Sequence, residues 1–311
     1  MANMRRFLRY DVEVPIYLEP CDQDGHREGF DPQALFPDLE RMRYEGLGVE
    51  FNTILRALGK DKPKLVFMLS HMQVRLNFLF YLLQWLADDR DPREDGRFEY
   101  RLRQDAKIEF INILPEDSKL GRLLQALWRH MDLTIREVVG VVQTSTQGLF
   151  IYPQTPVALF DHTRYITNLR DVAEKGHPVA EALLLLEKML NTLLKVLQRL
   201  KAFYAERAMP QRWPKLTVNL SAGGLGLWDS EKWPLYQKVN VFMALEQLFA
   251  GRGRVVFCRQ LKTAPDPQRP WRVGVDFDWL PTERQDQITF FVQAHEVADA
   301  MARFPRERFE A

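Results

Sequence analysis

The stretch "NLSAGGLGLW", Asn219–Trp228, sets three glycines among apolar residues that otherwise alternate with a period of two. A strand interior disfavours glycine, which loses the most chain entropy on ordering and packs no side chain. The glycines therefore mark a tight turn and a close backbone approach between two strands. On the near side, Leu216, Val218 and Leu220 alternate; on the far side, Leu225 and Leu227 do. Further along come Val239 to Leu245, Val255 with Phe257, and Val273 to Phe277, and near the chain start Val12, Val14, Ile16 and Leu18. Six short strands, the last five joined without intervening helices, fit a small antiparallel barrel rather than a parallel sheet. Thr282 with Gln285 reads as a capping box that opens a C-terminal helix toward Phe304.

Between the first strand and the second the period changes to that of helices. Four long helices are predicted, near 33–58, 63–88, 118–147 and 178–208, with Ser118 as an N-cap and Gly148 beyond the end of the third. The fourth has a seam at Val179, Leu183, Leu186, Leu190, Leu193, Leu197, Leu200 and Tyr204, which reads either as an oligomerising coiled coil or as the core of a bundle. Residues 91–115 alternate weakly and fit a strand pair, a loop or a helix extension. An even number of antiparallel helices returns the chain to its starting point. The expectation is an α+β protein. Residues 1–20 and 210–311 form the barrel, and residues 21–209 form a helical domain inserted between strands one and two.

The chain has 311 residues, 46% of them hydrophobic, enough for a sizeable core. Lys and Arg number 43 against 42 Asp and Glu, so a net charge of +1 supplies no global field for nucleic acid. Cys21 and Cys258 are the only cysteines and show no metal or disulfide spacing, which fits a reducing cytoplasm. The opening "MANMRRFLRYDVEV" has no apolar signal core. The run Lys64–Leu86 is interrupted by His71, Gln73, Arg75 and Asn77, so neither export nor a membrane span is expected. The six histidines show no pairing with carboxylates at ligand spacing, and no metal is expected. No catalytic motif is present, and "GRGR", Gly251–Arg254, reads as a hairpin turn.

"RRFLR" at Arg5–Arg9, followed by a strand, and "NLSAGG" between the next two strands together resemble the signature motifs of the PilZ family of cyclic di-GMP receptors. Arg5 and Arg9 match the family's RxxxR, with Arg6 as the additional arginine, and Asn219, Ser221 and Gly224 match its second motif. "WRVGVDFDWL", Trp271–Leu280, resembles the family's last barrel strand. The resemblance implies a bacterial, cytoplasmic, non-enzymatic receptor. In it, cyclic di-GMP is held by Arg5, Arg6, Arg9, Asn219, Ser221, Gly223 and Gly224, and binding alters a surface for an unknown downstream protein. It also implies a homo-oligomer through helix 178–208 as one expectation. The alternative is a PilZ-fold interaction protein that has lost the nucleotide and works through its helices. The chain departs from the family pattern in separating the two motifs by the whole helical block.

The chemistry of these residue types can be argued without the name. Arginine is planar and permanently charged, so it grips phosphate, pairs with a guanine edge or stacks on a purine. Asparagine and serine supply short polar groups on a turn, and glycines let a ligand approach the backbone.

Overall fold

The computed structural model describes residues 8–59, 61–111, 118–146, 148–161, 163–261 and 264–303. The chain divides into two compact units, Met1–Phe30 with Glu206–Ala311, and Asp31–Ala205.

In the first unit, β1 (Tyr10–Pro20), β2 (Lys215–Ser221), β3 (Gly224–Asp229), β4 (Lys238–Ala244), β5 (Leu248–Gln260) and β6 (Trp271–Phe277) close into a barrel ordered β1-β2-β3-β6-β5-β4, every pairing antiparallel. The first half of β1 pairs with β2, Tyr10 opposite Leu220. The second half pairs with β4, Ile16 opposite Met243. The period-two residues fill the interior: Val12, Val14, Ile16, Val218, Leu220, Leu225, Leu227, Val241, Val255, Val273 and Val275 are buried together. Helix α8 (Thr282–Arg303) follows β6 and closes this core with Ile288, Phe291 and Val292.

Two sequence expectations are corrected here. "GRGR" lies inside β5, because its glycines allow close packing: a Cβ on Gly253 would come within 2.5 Å of the Asp276 carbonyl oxygen. The capping box does not form. The N–H groups of Arg284 and Gln285 donate to the Pro281 carbonyl, and the Gln285 side-chain amide donates to that of Leu280.

The segment Cys21–Phe30, expected to belong to the helical block, lies in the barrel unit. Cys21 N–H donates to the Lys238 carbonyl and Glu28 N–H to that of Pro20. Where β1 ends, Glu19 accepts from Arg207 at 2.6 and 3.0 Å and from Asn240 at 2.9 Å. The side chains of Glu19 and Arg207 are each 1% exposed.

The second unit holds α1 (Pro32–Leu35), α2 (Asp38–Leu58), α3 (Pro63–Ala87), α4 (Phe98–Ala106), α5 (Lys119–Thr144), α6 (Thr163–Glu174) and α7 (Pro178–Phe203). The four long predicted helices are α2, α3, α5 and α7. Pro37 splits the first, since proline has no N–H to donate and disfavours helical dihedrals at Phe36. Ser118 caps α5, its hydroxyl accepting the N–H of Gly121 at 2.8 Å. The ambiguous stretch forms a short turn at Pro92–Glu94 and then α4, and α6 is an element the sequence reading did not find.

Helix α7 packs against α2, α3 and α6. Leu183, Leu186, Leu190, Leu193, Leu197, Leu200 and Tyr204 are all buried in this unit, so the heptad seam is bundle core and is not available as an oligomer face. Helix α3 is long and apolar enough to cross a membrane by composition, yet Met68, Leu69, Leu79, Leu82 and Leu83 are fully buried in the unit. It also carries Arg75, which donates to both carboxylate oxygens of Asp105 on α4 and to Asp132 on α5, with its guanidinium over the Trp128 ring. Burial raises the Asp105 carboxyl despite Arg75.

Removing one partner of a buried ion pair costs about 3–5 kcal/mol, whereas an exposed pair contributes at most ~1 kcal/mol. Denaturant unfolding followed by barrel tryptophan fluorescence is expected to show Glu19→Ala destabilised by about the former amount. Glu13→Ala, which breaks the exposed Glu13–Lys215 pair, is expected to change little.

Candidate functional site

The hairpin within "NLSAGGLGLW" joins β2 to β3, with Ser221 opposite Gly224 and Ala222–Gly223 at the tip. Gly224 alone of its glycines has positive φ, at 157°, and a Cβ there would lie 2.3 Å from the Val275 carbonyl oxygen on the neighbouring β6. That contact explains why the strand accepts glycine: at Gly224, β3 and β6 run too close for a Cβ. Gly223, expected to use the same freedom, does not have positive φ, and its carbonyl accepts the N–H of Phe277. Ser221 is 1% exposed and its hydroxyl donates to the Gly224 carbonyl at 3.1 Å. Ser221, Gly223 and Gly224 thus hold the hairpin in shape.

Arg5 and Arg6 lie outside the described residues. Arg9 is exposed just before β1 and lines a depression of about 300 Å³ on the barrel's outer face, together with Asn219, Gly226, Phe257, Arg272, Gly274 and Asp276. Asn219 donates to the Asp11 carboxylate at 2.7 Å, which leaves its carbonyl oxygen as an acceptor. The β1–β2 register, Asp11 opposite Asn219, is what brings the two motif positions together.

Arg272 is the residue that motif reasoning missed. Its guanidinium sits 5.4 Å over the Trp228 ring and above Gly226, where a Cβ would come within 3.1 Å of Nη2. It makes no hydrogen bond or ion pair among the described residues, and burial lowers its pKa, with Asp11 opposing. An arginine whose fork of donors is partly desolvated and unused is ready to donate to phosphate or to a guanine edge. It borders a second depression of about 330 Å³, lined by Asp11, Thr217, Trp228, Asp266 and Arg269. The signal was present in "WRVGV": alternation turns Arg272 and Gly274 outward, across from Trp228 and Gly226.

Other groupings are accounted for by the fold. Asp22, Asp24 and His26 bring ligand atoms within 4.8 Å of one another. His26 does pair with Asp22, at 3.4 Å, contrary to the sequence reading. The cause is local, because Asp22 accepts the backbone N–H groups of Asp24 and His26 and so shapes the turn. A cavity of about 460 Å³ in the helical unit is lined by Arg75, Asp105 and Asp132, whose charges satisfy one another. Burial pushes the Cys21 thiol up to about 12, which leaves it protonated and unreactive at neutral pH.

No family model matches the chain, and no curated protein matches it. Among solved structures, a pathogenic protein from Xanthomonas campestris is similar at 17% identity, over 46% of this chain and 79% of that one, with a TM-score of 0.24. That protein is described as a new tetrameric PilZ domain self-assembled via an unusual helical bundle. The barrel order, the glycine hairpin between its second and third strands and the helix after its sixth are this chain's own features. The fold is a closed six-stranded antiparallel barrel followed by a helix. In this barrel, Arg9 and Asn219 line one depression, and Ser221 and Gly224 build the turn beside it.

Gly224→Ala is expected to lower stability by on the order of 2–4 kcal/mol, since backbone must move. Ser221→Ala should cost about 1 kcal/mol for one hydrogen bond. Thermal melts of both variants, read by circular dichroism, check the order.

Proposed function

We propose that the barrel face between Arg9 and Arg272 binds cyclic di-GMP and that binding reorders the N-terminal segment to change a protein-contact surface. The observation that carries this reading is the convergence of Arg9, Asn219 and the unpartnered Arg272 on one depression from distant parts of the chain. A guanine dinucleotide has two negative phosphates, planar bases and acceptor edges, the groups that arginine recognises. Arg9 supplies charge at the rim. Arg272 offers a flat cation already oriented by Trp228, so little further ordering is needed there. Asn219 offers an acceptor for a base N–H, and Arg5 and Arg6 precede Arg9 in the sequence and would bring two further cations to the ligand.

Calorimetric titration of cyclic di-GMP into the full chain is expected to give saturable binding that GTP does not reproduce. Arg9→Ala and Arg272→Ala should each weaken it about 10- to 100-fold, the loss of a charge-assisted hydrogen bond or two. No binding by the wild type, alongside an unchanged fold, would leave the helical unit as the functional part.

A further inference from the structure

Helix α2 has two apolar seams on opposite faces. Tyr44, Phe51, Leu55 and Leu58 are buried in the core of their unit. On the far side Leu39, Met42, Gly46 and Val49 follow one another at helical spacing, and the three large residues are 73%, 60% and 68% exposed. At 100° per residue the two sets lie about half a turn apart.

Gly46 sits mid-helix, where glycine costs about 1 kcal/mol relative to alanine. Nothing lies within 4 Å of where its Cβ would be, so nothing in this chain requires the missing side chain. A bare backbone at the middle of an apolar stripe is what lets a second helix cross closely.

The charges beside the stripe identify that helix. Arg43 and Glu50 flank it on one side, Asp38 and Arg56 on the other, and none of the four has an ion-pair partner among the described residues. Turned antiparallel about a two-fold axis near Gly46 and Leu47, a second α2 places its Glu50 opposite Arg43 and its Arg56 opposite Asp38. The symmetry repeats both pairs, as an isologous interface requires. A parallel arrangement instead opposes Glu45 to Glu50 and keeps only Asp38 opposite Arg43 as an attractive pair.

We propose that α2 is a homodimer interface, with two copies of the chain crossing antiparallel at Gly46 through Leu39, Met42 and Val49. The occupant is a second copy because the flanking charges are self-complementary under a two-fold axis. A helix of this length spans about 31 Å, so the contact is smaller than a permanent interface and its dimer is concentration-dependent.

The test is sedimentation velocity of the full chain over a wide concentration range, with folding of each variant checked by circular dichroism. The wild type is expected to pass from monomer to dimer. Val49→Glu should raise the dissociation constant at least about tenfold, through burial of a charge. Arg43→Glu and Glu50→Arg should each weaken the dimer by juxtaposing like charges, and the double variant should restore it. A monomer at all concentrations overturns the proposal, as does a dimer indifferent to Val49→Glu or a double swap no better than the single ones.

Discussion

The barrel depends on the ion pair between Glu19 and Arg207. The chain leaves β1 at Pro20 and returns to the sheet at Lys215, with the whole helical unit between. Each charge alone in that apolar interior would be costly, and only their meeting, with Asn240 as a third partner, makes either burial tolerable. Such a pair adds little net stability over a hydrophobic filling. It does specify that exit and return coincide, and so fixes where β2 starts relative to β1. From that register follow Asp11 opposite Asn219 and Arg9 beside the same depression.

The site's electrostatics are local rather than global. A net charge of +1 draws no polyanion to the molecule, but at the depression Arg9 and Arg272 make no hydrogen bond or ion pair among the described residues, while Asp11 is engaged by Asn219. Asp276 stands at the same surface and disfavours anions, so the proposed function requires a ligand that combines negative charge with a planar group able to gain from the Arg272–Trp228 pair. Inorganic phosphate would meet the first requirement and miss the second.

The strands and long helices were legible because each carries an uninterrupted period over its own length. Less was legible where one residue type serves two ends. Glycines 251 and 253 resemble turn glycines yet serve close strand packing, and Thr282 resembles an N-cap that the Pro281 carbonyl supplants. In the site, the motif positions Arg9 and Asn219 could be read directly, because short-range patterns define them. Arg272 could not, since what singles it out is a guanidinium without hydrogen bond or ion pair among the described residues, which only the folded neighbourhood of Trp228 and Gly226 reveals.

Helices α7 and α2 show why a heptad stripe by itself does not decide between core and interface. In α7 the seam is widened by Ala182, Leu185, Met189, Leu194 and Val196, all buried, so its apolar arc is too broad for one partner and it becomes the axis about which α2, α3 and α6 pack. In α2 the outer stripe is narrow, is bounded on both sides by charges of both signs that have no ion-pair partner among the described residues, and has a gap at Gly46. Breadth draws a helix into its own bundle, whereas a narrow charged-edged stripe leaves one face for a single further helix. The more conspicuous repeat in the sequence is therefore the structural one, and the fainter repeat carries the capacity for association.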